Sequence, residues 1–241
     1  LVADLASAQH RVVKEGQLVA LGLKRGAIRH RVECGRLHRI HKGVYAVGAP
    51  SLSRSGFLIA AVFACGEGAV LSHKTAADHW GLIRTSSPAI HVTVPRNKKP
   101  QVSDVTLHLT RDLPSQDCAV EDRIPVTSVP RTLVDLAAIA RPGELIQALE
   151  HAQRLRLFDM RAMEELLGRS NGRRGARALR GALKELFEEA PDTRSPLEER
   201  FCHYCKKRKL PMPAFNVPVA GFLVDAVWLE QKVAVELDSR R

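Results

Sequence analysis

Stretches with apolar residues at helical spacing are interspersed along this chain with shorter runs of strict alternation, a pattern that predicts an α+β fold. Near the front, Leu18, Leu21, Leu23, Ile28 and Val32 predict two short helices broken at Gly22. The second runs from about Lys24 to Cys34 and is closed by Gly35, a residue type favoured just past a helix. Arg36 to Val47 then alternates apolar and polar through a turn at His41-Lys42-Gly43. An alanine-rich amphipathic helix is expected from Ser53 to Ala64, stopped at Gly66. The stretch Ser72 to Leu82 holds another, with Ser72 as its cap and Gly81 beyond its end. Ala89 to Val94 and Asp104 to Thr110 alternate like strands on either side of the basic Arg96-Asn97-Lys98-Lys99-Pro100, and a further short strand is expected from Cys118 to Val126.

Helices follow from Ser128 through Ala137, where Arg131 and Asp135 are spaced for an i,i+4 ion pair. Others are expected at about Gly143 to Arg154, Asp159 to Leu167 and Arg173 to Glu189. Glu188 to Arg194 reads as a linker. Ser195, Pro196 and Glu198 then form a capping-box start for a helix reaching about Lys209. After a proline-rich stretch, two apolar runs flank Leu229-Glu230-Gln231-Lys232 and read as a hairpin.

Composition narrows what such a chain does. Its 241 residues are 45% apolar and 26% charged, enough to bury a core. The net charge of +11 favours an acidic partner, nucleic acid before membrane. No apolar run is long enough to span a bilayer, and the start lacks the pattern of a secretory signal, so a cytoplasmic protein is expected. Five scattered cysteines give no disulfide framework. The lone Cys202-x-x-Cys205 lacks the second pair that a structural zinc needs. Because the chain begins with Leu1, it is expected to be clipped at the front.

The first 48 residues carry nine Lys and Arg against three acids. With Ile28 and Val32 turned to the core, Arg29 and His30 point outward and Arg25 lies on the flank. Two helices around a glycine turn, followed by a hairpin, are the parts of a winged helix-turn-helix. The second helix would then enter a major groove, while Arg36, Arg39 and Lys42 reach phosphates. A second basic run, from Arg169 to Lys184, reads more readily as a solvated helix face. His73, His79, His91 and His108 read as packing or surface residues, and Ser72 and His73 as neighbours that point apart on a helix.

The residues Gln17 to Leu23, and Gly35-Arg36-Leu37-His38-Arg39-Ile40-His41-Lys42-Gly43-Val44-Tyr45, resemble the N-terminal winged-helix domain of AbiEi-type antitoxins. Leu71-Ser72-His73-Lys74-Thr75-Ala76-Ala77, Trp80-Gly81-Leu82 and Pro125 to Ala137 resemble the continuing part of that family. The resemblance implies a DNA-binding regulator of a type IV toxin–antitoxin system that represses its own promoter, with a nucleotidyltransferase-like toxin as its partner.

The end of the chain resembles something else. Arg194-Ser195-Pro196-Leu197-Glu198-Glu199-Arg200-Phe201, Leu210 to Asn216, Val224-Asp225-Ala226-Val227-Trp228 and Val235-Glu236-Leu237-Asp238 are similar to a PD-(D/E)XK nuclease core, in the branch related to very-short-patch-repair endonucleases. The resemblance implies Asp225 as central Mg²⁺ ligand, Glu236 and Asp238 as companion ligands, and Glu198 assisting from the helix. The usual core lysine is absent, Ser239 replaces a glycine, and the downstream histidine and final strands do not follow.

The expectation is therefore an α+β chain of three parts: a winged helix-turn-helix at 1–48, an AbiEi-like mixed α/β middle domain at 49–190, and a partial nuclease-like segment at 191–241. Its function would be binding double-stranded DNA as a transcriptional regulator, needing no cofactor. A Mg²⁺-dependent DNA endonuclease is the alternative, expected to be inactive at this length.

Overall fold

The computed structural model describes residues 1–96, 100–170, 172–187 and 196–237. The front of the chain runs α1 (Val2–Ser7), β1 (Val12–Lys14), α2 (Glu15–Ala20), α3 (Arg25–Glu33), β2 (Leu37–His41) and β3 (Val44–Val47). The strands form an antiparallel sheet in the order β1-β3-β2. Both expected helices and the hairpin are present. Gly22 and Gly35, at φ of 88° and 66°, make the left-handed turns on either side of α3. The sequence pattern did not reveal α1 and β1, which are too short to display a period. They are fixed by burial of Ala6, Val12 and Val13. Ala6, Val13, Leu18, Ile28, Leu37 and Tyr45 close a small core between helices and sheet.

Next comes α4 (Arg54–Cys65), whose N-cap Ser53 accepts a hydrogen bond from the Gly56 N–H at 3.1 Å. It lies on a five-stranded sheet built from β4 (Val70–Leu71), β5 (Ile90–Pro95), β6 (Val105–Thr110), β7 (Cys118–Glu121) and β8 (Ile124–Thr127), in the order β6-β5-β4-β8-β7. β5 runs parallel to β6, and β4 parallel to β8. The core under α4 also takes in Val12 and Val44, so the small front sheet packs against the same helix.

Two expectations are corrected in this part. Cys118 to Val126 is a tight hairpin rather than one strand, because Asp122 and Arg123 both adopt left-handed φ, 46° and 61°. Ser72 does precede α5 (His73–His79), but its hydroxyl makes no capping bond. It lies 3.0 Å from His73 Nδ1 instead, so the two side chains meet rather than point apart. His73 itself has a φ of 51°.

Against the other side pack α6 (Val129–Ala137), α7 (Pro142–Arg154), α8 (Met160–Arg169) and α9 (Ala176–Phe187), with Leu133, Leu149, Met163, Leu166 and Leu179 fully buried between them. The Arg131–Asp135 pair forms, but inside the protein. Arg131 is 2% exposed and donates from Nε to both Asp135 oxygens at 3.0 Å, and from Nη1 to Asp117 at 2.8 Å. Arg169 closes the network from α8 onto the other Asp117 oxygen at 2.5 Å. Arg180 donates to the Leu167 carbonyl at 2.7 Å. The basic run from Arg169 onward is therefore partly structural and not a uniform solvated face.

The last elements are α10 (Pro196–Lys207), β9 (Ala214–Val219), β10 (Phe222–Trp228) and β11 (Val233–Val235), an antiparallel sheet in the order β11-β10-β9. The expected hairpin is β10–β11. The proline-rich stretch before it was not expected to hold a strand. It forms β9, where Pro218 is tolerated because the strand lies at the sheet edge. Phe201 of α10 meets the Trp228 ring edge-on at 6.1 Å, and Cys202 and Cys205 are buried beside it. The linker, the Ser195 cap and Asp238 lie outside the described residues.

Candidate nucleic-acid interface

The front of the chain presents a basic ridge. On α3, burial of Ile28 turns Arg29 and His30 out to solvent, as the helical period requires, and Arg25 is exposed on the flank at the start of the helix. Arg36 is exposed just before β2, and Lys42 is exposed in the turn between β2 and β3. Arg39 stands across the strand pair from Tyr45, its guanidinium 6.0 Å from the ring centroid. The ring fixes the arginine stem while the charge stays in solvent.

One residue that sequence reasoning missed ties these pieces together. Glu15, at the start of α2, receives Arg25 Nε at 3.4 Å, and its own N–H donates to the Gly43 carbonyl at 2.8 Å. Glu15 thereby links the start of α3 to the β2–β3 turn. Gly43, at a φ of 72°, makes that turn, and its Cα side faces the Glu15 carboxylate. His30 sits 3.5 Å from the Cys34 sulfur one turn along α3.

The acids at the other end are brought together in part. Ala226 pairs with Val235, which sets Asp225 opposite Glu236. Asp225 accepts the Leu237 N–H at 2.6 Å. Burial, followed by the charge and hydrogen bond of Asp225, raises the Glu236 pKa above the usual carboxylate range, and Arg156 opposes that rise. Both acids line a cleft of about 590 Å³ that also receives Arg154 and Arg156. Glu198 has a partner of its own. Among the described residues no three His, Cys, Asp or Glu side chains converge as a metal-holding group. Two carboxylates, one already engaged by a backbone N–H and with Arg156 nearby, fit a divalent cation only in part.

His73, His91 and His108 are brought together from three separate elements. His73 and His108 stack at 3.5 Å between centroids, and His91 Nδ1 lies 2.9 Å from His108 Nε2. Burial first, then the neighbouring rings, lowers the His73 pKa to about 3 and that of His108 to about 4. Burial, with Lys74, lowers that of His91 as well. The cluster is thus neutral when folded. Below about pH 6.5 an unfolded chain takes up protons that the folded one refuses, so stability is full above that pH and declines as pH falls toward 4. Each histidine contributes a slope of up to about 1.4 kcal/mol per pH unit. Urea midpoints across this range check the expectation, and His108→Asn should flatten the decline.

The front and the middle of the chain each match a known family. Residues 1–48 match the family described as transcriptional regulator, AbiEi antitoxin, and residues 68–189 match the AbiEi antitoxin C-terminal domain. No curated protein matches the chain. Among solved structures, the crystal structure of the RV2827C protein from Mycobacterium tuberculosis is similar at 19% identity and a TM-score of 0.48, covering 75% of each chain. Neither family match extends beyond residue 189. No described helix is long and apolar enough to cross a membrane. With the second match alone spanning just over half of its length, the chain belongs to the AbiEi antitoxin family.

Proposed function

We propose that this protein is a DNA-binding transcriptional regulator, the antitoxin half of a type IV pair, and that residues 1–48 are a winged helix-turn-helix. In this reading α3 lies in the major groove of double-stranded DNA, with Arg25, Arg29 and His30 toward the bases. Arg36, Arg39 and Lys42 reach flanking phosphates from the β2–β3 hairpin. The observation that carries the reading is the exposed basic face of α3, with the hairpin linked to it through Glu15. Binding needs no cofactor. The family supports a toxin partner, taken here as nucleotidyltransferase-like, and a cytoplasmic site of action.

Binding of a duplex from the protein's own promoter should weaken as salt rises, because phosphate contacts release counterions. Arg29→Ala should reduce affinity by about tenfold or more, the size of one lost base contact. Lys42→Ala should lower the salt slope by about one unit, with little effect on sequence preference. Both side chains are exposed, so neither change should unfold the protein. An affinity insensitive to salt would sink the proposal.

The facing Asp225–Glu236 pair favours a second reading, a metal-dependent DNA endonuclease. Asp225, Glu236 and Asp238 would hold Mg²⁺, which when bound activates water and stabilises the developing phosphoryl charge. Asp225 would be the anchoring ligand, Glu236 its partner across the hairpin, and Glu198 an assisting acid from α10. Adding Mg²⁺ to the same duplex separates the readings. Cutting that vanishes in Asp225→Ala supports the nuclease, and cutting that survives removes this site.

A further inference from the structure

Between β6, the end of α6 and the loop leading into α9 lies a two-lobed cleft that neither the front ridge nor the C-terminal acids use. Its inner lobe, about 400 Å³, is lined by Thr93, His73, His108 and Arg131. Its outer lobe, about 710 Å³, is lined by Arg96, Arg111, Arg169 and Arg173. The two share Leu109, Thr110 and Arg173, so they form one continuous trough. Arg174 stands at the rim of the inner lobe.

The charges in the trough do not balance. Asp117 and Asp135 are taken up by Arg131 and Arg169. Arg96, Arg111, Arg173 and Arg174 have no salt bridge among the described residues, with only Asp112 beside them on the outer lobe. Burial first, and then Arg131, depresses the Arg173 pKa, and the pull of Asp135, Asp117 and Asp112 does not fully offset them. The inner lobe adds an independent observation. Thr93 is 1% exposed, and its hydroxyl has no hydrogen-bond partner among the described residues. A buried hydroxyl is seldom left unpaired, and Thr93 is among the residues that line the inner lobe.

We propose that this trough binds a small phosphate-bearing molecule with at least two negative charges, of nucleotide size. The phosphates lie among Arg96, Arg111, Arg173 and Arg174, and a polar group of the ligand's inner end pairs with Thr93. Guanidinium forks suit phosphate oxygens, and several around one concave site select clustered charge over a single carboxylate. A duplex backbone would meet only the arginines, whereas Thr93 is buried in the lining of the inner lobe, which favours a small ligand over DNA.

Calorimetric titration of the full chain with pyrophosphate and with nucleoside triphosphates, in parallel with inorganic phosphate, tests the proposal. Pyrophosphate or a nucleotide should bind more tightly than inorganic phosphate. Arg173→Met and, separately, the exposed Arg111→Met should each weaken that binding by about tenfold, the size of one lost charge-assisted hydrogen bond. Thr93→Val should weaken the nucleotide more than pyrophosphate. Arg29→Ala should leave all of these titrations unchanged, which separates this site from the proposed DNA surface. Absence of heat with every probe would overturn the proposal. So would binding that survives both arginine substitutions, or an Arg111→Met effect confined to duplex DNA.

Discussion

Arg131→Ala is expected to lower folding stability by about 3–5 kcal/mol, a large share of what holds a domain of this kind together. The reason lies in what the substitution leaves behind. Arg131 is 2% exposed and gives three hydrogen bonds, two to Asp135 and one to Asp117, both of them buried carboxylates. Burial already pushes the Asp135 pKa up against the pull of Arg131, so without the guanidinium its charge loses both side-chain hydrogen bonds and keeps only the more distant pull of Arg173. Asp117 fares better, because Arg169 still holds its other oxygen. Most of the loss should therefore fall on Asp135. The double variant Arg131→Ala/Asp135→Ala should be less destabilised than the sum of the two single variants, since the orphaned charge is gone. Urea denaturation of the four proteins checks this, and strict additivity would mean that the pair is not coupled as its geometry says. At about 2–4 °C per kcal/mol for a chain of this size, the single change should also lower Tm by about 10 °C.

This network shows where sequence reading reaches its limit. The i,i+4 spacing of Arg131 and Asp135 was legible, because a helix fixes which residues share a face. That the pair is buried, and that Asp117 and Arg169 join it from before β7 and from the end of α8, depends on packing between distant elements. The same holds for His73, His91 and His108. Nothing in their spacing brings them together until β5 and β6 pair in parallel, with Thr93 beside His108. The hairpin at Asp122-Arg123 was missed because neither residue is the glycine or asparagine that usually announces two left-handed positions. The pieces at the front were the most legible. There the glycines at 22, 35 and 43 mark real left-handed turns, and the apolar period marks the buried side of α3. Glu15, which links α3 to the hairpin, carried no such mark: an acid at the start of a short helix reads as ordinary. At the other end, the hairpin put Asp225 and Glu236 on neighbouring strands, but their facing depends on the register of β10 and β11, which the pairing of Ala226 with Val235 supplies. Glu198 could not be placed against them, because α10 is connected to the hairpin only through tertiary packing.

Two glycines of α9 and its approach should respond in opposite directions to the same substitution. At Gly175, a Cβ would lie 2.7 Å from the Ala138 N–H nitrogen and closer still to the Val134 carbonyl oxygen, both backbone atoms of α6 and its end. Backbone cannot turn aside as a side chain can, so α9 must move away from α6. The φ of 92° at Gly175 adds a conformational cost of about 1–2 kcal/mol for any residue with a Cβ. Overpacking adds about 1–3 kcal/mol, so Gly175→Ala should destabilise by about 2–5 kcal/mol in all. The shift would also carry Arg173 and Arg174 with the loop and draw Leu179 out of the helical core, so pyrophosphate binding should weaken together with stability. At Gly181, within α9, a Cβ meets nothing within 4 Å. There alanine removes unfolded-chain entropy without strain, and Gly181→Ala should stabilise by about 0.5–1 kcal/mol. Thermal melts of the two variants beside the parent protein read both effects at once. If Gly175→Ala melted with Gly181→Ala above the parent, α9 could not cross α6 as closely as this structure places it.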